Sequence, residues 1–220
     1  MIITLDGPAG AGKSSTARAL ARRLGWFYMD TGAMYRTVTL VALERGVPLN
    51  DAGGLAVLAE SLAIAFRDGR VFVGDRDVST EIRTERITAA TRSVADAPPV
   101  RDVMKRMQRT IATGLDVVTE GRDQGSVVFP HAELKVFLTA SPEERARRRH
   151  REELARGAVS SLDTVLAAQN RRDEGDRVRE VGAMKPADDA VLVETDGLTQ
   201  DEVVERLVRF VEERRQPRPA

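Results

Sequence analysis

An α/β fold built on a doubly wound, five-stranded parallel sheet is predicted by three features of this 220-residue chain. The apolar run Ile2, Ile3 and Leu5 leads into a glycine-rich loop and then a helix-patterned stretch, Ser15 to Leu24. Four more short apolar runs follow, at 26–29, 115–119, 134–138 and 190–194, with helix-patterned stretches between them. Strands that alternate with helices pair in parallel, because each helix carries the chain back across the sheet.

The first loop is the most informative stretch. Asp6 is followed by Gly7, Pro8, Ala9, Gly10, Ala11, Gly12, Lys13 and Ser14, which fits G-x-x-x-x-G-K-S/T and continues into Ser15. Gly7, Gly10 and Gly12 let the backbone curl until successive N–H groups face one concavity, an anion-binding nest. Lys13 adds a compact positive charge for the outer phosphates, and the Ser14 hydroxyl is a ligand for Mg²⁺. The helix opening at the loop turns its positive end to the same anion. A strand before and a helix after is the setting this motif requires, so a nucleoside triphosphate is the expected ligand.

Apolar spacing orders the remaining elements. Gly25 is placed to end the first helix, and 26–29 reads as the second strand, with Trp26 as core packing. A helix then runs from the segment beginning at Asp30 to about Leu43, with Met34, Val38, Val41 and Ala42 as its stripe and Gly46 and Pro48 closing it. Residues 53–62 read as a helix. The runs 64–66 and 71–73 flank Asp68-Gly69 as a β-hairpin that Val78 and Ile82 extend. Residues 84–95 and 98–113 read as two helices separated by Pro98 and Pro99. After the strand at 115–119 come Glu120, Gly121, Arg122 and Asp123, and after the strand at 134–138 comes a capping box, Ser141 to Glu144, with Pro142 at the first helical position. That helix runs to Gly157, and a polar, arginine-rich segment spans 160–179. A second capping box, Thr199 to Glu202, starts an amphipathic helix with Val203, Val204, Leu207, Val208 and Val211 on one face. The tail from Gln216 is expected to fray.

Composition narrows the partners. Lys plus Arg and Asp plus Glu are both 34, so net charge argues for neither nucleic acid nor a membrane surface. Arg145 to Arg151 is basic, yet Glu143, Glu144, Glu152 and Glu153 flank it and no aromatics interleave, which disfavours nucleic-acid binding. There is no cysteine, which excludes disulfides and thiolate metal sites and fits a reducing cytoplasm. No apolar run approaches membrane-spanning length, and His131 and His150 stand apart without ligand partners nearby. A cytoplasmic monomer acting on small molecules is expected.

Ligands of such sheets sit outside the carboxyl ends of the strands. The loop at 7–14, Asp30 to Gly32 and Gly121 to Asp123 therefore fall on one edge. A GTPase would carry an N-K-x-D-like guanine-reading segment, and none is present. Arginines stand out at element ends: Arg36, Arg83, Arg101, Arg122 and the group Arg171, Arg172, Arg177 and Arg179. Phosphoryl transfer mainly demands alignment, charge compensation and exclusion of water. Many guanidiniums beside a phosphate loop suit an acceptor that is itself phosphorylated.

At this level of detail the chain resembles the bacterial-type cytidylate kinases of the nucleoside monophosphate kinase family. The matching stretches are I-T-L-D-G-P-A-G-A-G-K-S at 3–14, D-T-G-A-M-Y-R at 30–36 and E-I-R-T at 81–84. They continue with E-G-R-D-Q-G-S-V-V-F-P at 120–130, F-L-T-A-S-P-E-E-R-A-R-R-R at 137–149 and R-R-D-E-G-D-R-V-R at 171–179. The resemblance implies one P-loop kinase domain. Its core would be about 1–45, 96–150 and 185–215, with a small β-containing monophosphate-binding insertion at about 46–95 and a helical lid at about 151–184.

It also implies roles. ATP is the donor, with Mg²⁺, and CMP or dCMP the acceptor. Thr31, Arg36 and Arg122 would hold the acceptor phosphate; Ser93, Arg101 and Asp123 would read cytosine with Arg179 near the base; Arg172 and Asp176 would contact ribose or phosphate. Lys13, Arg122, Arg172 and Arg177 are the expected catalytic residues, and one arginine of 145–151 would lie against the donor adenine. Two positions depart from the family pattern: Thr31 replaces a frequent serine, and Gly175 stands where relatives carry arginine, leaving Arg177 or Arg171 to compensate. Asp30 is one candidate for the carboxylate that reaches Mg²⁺ through water. Two other readings stay open at this point. One is a sibling kinase for UMP, dTMP or another phosphorylated metabolite; the other is a nucleotide-dependent switch with no acceptor.

Overall fold

The computed structural model describes residues 1–155, 157 and 159–215. The tail from Gln216, expected to fray, lies outside the described residues. The chain forms two compact units, Met1–Tyr28 with the chain from Leu115, and Met29–Gly114. Residues 29–45 and 96–114, which the sequence groups with the core, fall with 46–95 in the second unit.

The elements in chain order are β1 (Ile2–Asp6), α1 (Lys13–Leu24), β2 (Phe27–Asp30), α2 (Thr31–Glu44), α3 (Ala52–Ser61), β3 (Ile64–Arg67), β4 (Arg70–Val73) and β5 (Arg76–Asp77). Then come α4 (Glu85–Asp96), α5 (Pro98–Ala112), β6 (Val117–Glu120), β7 (Leu134–Thr139), α6 (Pro142–Ala155), α7 (Leu162–Arg177), β8 (Val191–Glu194) and α8 (Gln200–Arg215). Five strands form one sheet in the order β2-β6-β1-β7-β8. Strand β1 pairs in parallel with β6, Ile3 opposite Val118, and with β7, Leu5 opposite Val136; β7 pairs in parallel with β8, Leu138 opposite Val193.

The core of the first unit lies between this sheet and α1 and α8. Ile3, Leu5, Leu20, Leu134, Leu138, Val193, Leu207 and Val211 are fully or almost fully buried together. All five apolar residues assigned to the α8 stripe are buried. Trp26 packs on the edge of this cluster, with the Arg215 guanidinium 4.8 Å from its ring centroid. In the second unit α3 packs on α5 and α4 on α2, and β3-β4-β5 form a small antiparallel sheet.

Several boundaries differ from the sequence reading for identifiable reasons. Strand β2 begins at Phe27 because the Trp26 N–H donates to the Ala21 carbonyl (2.9 Å) and Gly25 N–H to Arg22 (3.3 Å), a Schellman closure of α1. Pro98 and Pro99 stand at the boundary of the two expected helices, α4 and α5. They form the first turn of α5, where a missing N–H costs nothing. The hairpin gains the short strand β5, and Val78 extends the pairing through a 2.9 Å bond to Val71, while Ile82 belongs to a 3-10 turn, Glu81–Arg83. The Ser141 box is only half formed: Ser141 Oγ caps Glu144 N–H (3.3 Å), but the Asp196 carboxylate, not Glu144, accepts from Ser141 N–H (3.0 Å). The Thr199–Glu202 box closes in both directions (2.8 and 3.3 Å). Helix α6 is described to Ala155; its expected end at Gly157 passes through Arg156, outside the described residues.

Leu207 of α8 is fully buried in the core against the sheet. Replacing it with alanine removes a buried isobutyl group and leaves a cavity, so Leu207→Ala should lower the unfolding free energy by about 2–5 kcal/mol. A urea titration showing a loss below about 1 kcal/mol would contradict the placement of α8 in the core.

Candidate active site

The glycine-rich loop occupies the turn from the carboxyl end of β1 to the first residue of α1. Gly7, at φ 138°, has no room for a side chain: a Cβ there would lie 2.0 Å from the Leu138 carbonyl oxygen of β7. The loop therefore starts hard against the β7 backbone at Gly7. Helix α1 has Gly12 at its N-cap, with no side-chain cap and no acidic residue in its first turn. Its leading N–H groups have no partner of their own in the helix, which is the arrangement an oxyanion fills.

Around this nest the strand ends bring charged groups inside. Lys13 is buried, and its Nζ donates to the Pro8 carbonyl at 2.7 Å. Burial, reinforced by the Arg122 and Arg172 guanidiniums, lowers its ammonium to about 7 against the pull of Glu120 and Asp6. Asp6, the last residue of β1, accepts from the backbone N–H groups of Gln124 (2.8 Å) and Gly125 (2.7 Å). Burial pushes its carboxyl up to about 7; the two amides and Lys13 oppose the shift, and Asp123 adds to it. These bonds fix the π-helical turn Gln124–Val128, and with it the segment carrying Arg122 and Asp123. Ser14 Oγ donates to the Glu120 carboxylate at 2.7 Å.

Arg122 leads to a second cluster in the same unit. Its Nε donates to Asp176 of α7 (2.8 Å), and Asp176 also accepts from Arg179 (2.8 Å). Asp176 is held below the usual carboxylate range: burial raises it, and Arg122, Arg179 and Arg172 more than compensate. Arg122, Arg172, Asp176 and Arg179 thus share one charge cluster, whose Arg122 and Arg172 also act on Lys13. Asp123 is buried beside it. Arg171 and Arg177 are exposed on α7.

The second unit carries the other expected residues. Asp30 caps α2 by accepting from Ala33 N–H (2.8 Å) and pairs with both Arg36 (3.3 Å) and Arg83 (3.2 Å). One carboxylate thus holds two guanidiniums, and the surplus positive charge suits a phosphate. Arg36 Nε is buried without a hydrogen-bond partner among the described residues. Thr31 is buried at the start of α2. Arg101, buried on α5, donates to the Ala95 carbonyl (3.1 Å) and lies 5.9 Å from the Tyr35 ring centroid. Ser93 is exposed on α4, two residues before Ala95.

The residues not singled out from the sequence are Asp6, Glu120, Gln169, Asp173 and Thr195, while Arg83, Arg145 and Arg148 stand out there as arginines without an indication of their partners. Asp6 and Glu120 carried a signal, a carboxylate ending a buried strand that leads to a site loop. Asp30, offered as the Mg²⁺ carboxylate, is engaged as a cap and ion-pair partner, whereas Glu120 sits on Ser14. Two arginines of α6 turn inward: Arg145 contacts the loop and Asp173, and Arg148 donates to Thr195 (2.9 Å to its hydroxyl). Among the described residues no group of three or more His, Asp or Glu could hold a metal, and no helix is long and apolar enough to cross a membrane.

Comparison with known proteins is consistent with this arrangement. The cytidylate kinase family model matches residues 3–213. Cytidylate kinase from Rhodopirellula baltica is 51% identical over 213 residues, 97% of this chain and 93% of that protein. Its counterpart from Carboxydothermus hydrogenoformans is 46% identical, covering 96% and 97%. Among solved structures, an uncharacterised protein from Eubacterium ventriosum (TM-score 0.54, 11% identity, 96% and 98% covered) and TT1252 from Thermus thermophilus (TM-score 0.52, 20% identity, 99% and 98% covered) share the fold. The motif order, the phosphate loop and the match along nearly the whole chain lead to one assignment: the chain belongs to the cytidylate kinase family.

Proposed function

We propose that this protein transfers the γ-phosphoryl group of ATP to CMP or dCMP, giving ADP and CDP or dCDP. The observation that carries this reading is a phosphate loop with a buried lysine, in a chain that gathers further arginines around carboxylates at Arg122–Asp176–Arg179 and at Arg36–Asp30–Arg83. A switch needs only the first of these; a kinase with a phosphorylated acceptor needs the rest. A phosphate oxygen of the acceptor attacks the γ-phosphorus, and the bond to the ADP oxygen breaks. The attacking acceptor oxygen is already ionised near neutral pH, so no side chain need act as a base.

The roles divide by chemistry. The loop at residues 7–15 and Lys13 hold the donor phosphates, through backbone N–H groups other than those of Pro8, which has none, and Ala9, which donates to Asp173. Thr31, Arg36 and Arg122 hold the acceptor phosphate. Arg122, Arg172 and Arg177 offset charge on the transferring group, with Arg177 exposed and able to move to it. Ser93, Arg101 and Asp123 read the base, and Arg172, Asp176 and Arg179 contact the ribose, phosphate or base. The hard oxygens of Ser14 and Glu120 fit Mg²⁺, which these residues would hold together with nucleotide phosphates; when bound it would neutralise developing charge. Residues 46–95 act as the monophosphate-binding insertion and 151–184 as the lid of a cytoplasmic, monomeric enzyme.

The direct test is acceptor-dependent ADP formation from ATP and Mg²⁺ across CMP, dCMP, UMP, AMP, GMP and dTMP. Preference for CMP and dCMP is expected. Preference for another monophosphate would overturn the base-reading assignments, and no transfer to any would overturn the kinase reading. In the same panel Asp123→Ala should narrow the CMP-to-UMP ratio of kcat/KM by about tenfold or more, since a site built to pair with one base penalises another by leaving buried polar groups unpaired. An unchanged ratio would remove Asp123 from base selection.

Lys13 predicts a proton linkage. In the free protein its ammonium titrates near 7, so at pH 8.5 it is mostly neutral. Donor phosphates favour the charged form, so ATP binding at that pH should take up close to one proton. Affinity should then fall by up to about tenfold per pH unit above 8. Calorimetric titrations in buffers of different ionisation enthalpy measure the uptake; in Lys13→Ala the uptake should vanish. Equal proton uptake in that variant would contradict the assignment.

A further inference from the structure

Ala9, in the middle of the phosphate loop, has both of its backbone polar groups held by side chains distant in sequence. Its N–H donates to Asp173 Oδ1 (3.2 Å). Its carbonyl accepts from Arg145 Nη1 (2.9 Å) and Gln169 Nε2 (3.2 Å). Arg145 also forms an ion pair with Asp173, and its Nε donates to the Ala140 carbonyl (3.1 Å). The side chains of Arg145 and Asp173 are each 4% exposed, so this is an interior pair rather than a surface one. The next residue, Gly10, presses on the same group: a Cβ there would lie 2.5 Å from Gln169 Nε2 and 3.0 Å from Arg145 Cβ.

A nest turned toward an anion has few hydrogen bonds of its own to hold its curl. Within the loop the Ala11 N–H reaches the Pro8 carbonyl only at 3.4 Å. The clamp on Ala9 supplies the missing constraint from α6 and α7. Asp173 and Asp176 stand three residues apart on one face of α7, one fastened to the loop and the other to Arg122 and Arg179. The helix that carries the acceptor-side charge cluster is therefore bonded directly to the donor loop.

We propose that Asp173, Arg145 and Gln169 are positioning residues for donor binding: by fixing the Ala9 peptide units they set the curl of the phosphate loop and join it to α7. None of the three needs to touch ATP. This inference rests on the kinase reading for its purpose, but its readout is ATP binding alone.

The test is calorimetric titration of the intact protein with ATP and Mg²⁺, without acceptor, beside separate titration with CMP and thermal unfolding. Gln169→Leu separates the roles cleanly. Gln169 Oε1 is buried without a hydrogen-bond partner among the described residues, so leucine should leave the melting temperature unchanged or raise it. ATP affinity should nevertheless fall about threefold to fivefold, because the Ala9 carbonyl loses a donor. Asp173→Asn removes the charge opposite Arg145 and should weaken ATP about tenfold or more, with CMP affinity changed by less than about twofold. Replacing both buried charges with apolar residues, in Arg145→Met with Asp173→Leu, should recover stability relative to Asp173→Asn while ATP affinity stays low. Unchanged ATP affinity in Gln169→Leu, or affinity that returns with stability in the double variant, would overturn the proposal and leave a purely structural ion pair. Wild-type protein that binds ATP but phosphorylates no acceptor would overturn the kinase reading without altering this result.

Discussion

A loop that offers its amide N–H groups to a phosphate cannot also spend them on itself, and the rest of the first unit is arranged around that constraint. Residues 7–12 lie between the end of β1 and the first turn of α1, pressed on the β7 backbone at Leu138 so closely that only glycine fits at position 7. What the loop lacks in internal bonding comes from outside. Arg145, Gln169 and Asp173 hold Ala9, and Lys13 reaches back to the Pro8 carbonyl. The buried apolar core of Ile3, Leu5, Leu20 and Leu207 fixes the strand and helix that the loop joins.

The same constraint shapes the electrostatics. Lys13 is buried beside Arg122 and Arg172, a poor place for an ammonium until an anion arrives. Two carboxylates, Asp6 and Glu120, stand near enough to favour its charge, but each is also engaged elsewhere. Asp6 holds the Gln124 and Gly125 amides, and Glu120 accepts from Ser14. Asp176 plays the corresponding part for Arg122 and Arg179, and Asp30 for Arg36 and Arg83. At Asp30 one carboxylate orients two guanidiniums and leaves the buried Arg36 Nε without a hydrogen-bond partner among the described residues, which suits a phosphate oxygen.

The elements legible in the sequence were those whose signals are local. The phosphate loop, the α8 stripe, the Asp68-Gly69 hairpin and the alternation of strands with helices all follow from spacing within a few residues. Elsewhere a distant partner decides the outcome. Asp196 takes the Ser141 N–H that the capping-box pattern assigns to Glu144, a partner 55 residues away. The Schellman bonds of Trp26 withdraw it from β2 although its side chain suits a strand. The Arg145–Asp173 pair spans 28 residues, and each member lies in a charged run that alone reads as a solvated helix face. For the site, Arg122 was legible from its place after a strand on the ligand edge and Asp176 only through family resemblance, while Arg83 and Glu120 were visible as residue types without an indication of what they would touch.

The central claim is that the loop and its surrounding charges move a phosphoryl group from one nucleotide to another rather than merely binding or hydrolysing the first. Its most direct measurement is a single-turnover reaction with ATP radiolabelled at the γ-phosphorus, quenched and separated with and without CMP. The account predicts that the label appears in CDP and that little is released as inorganic phosphate. Label released as inorganic phosphate irrespective of CMP, or retained in ATP throughout, would contradict it.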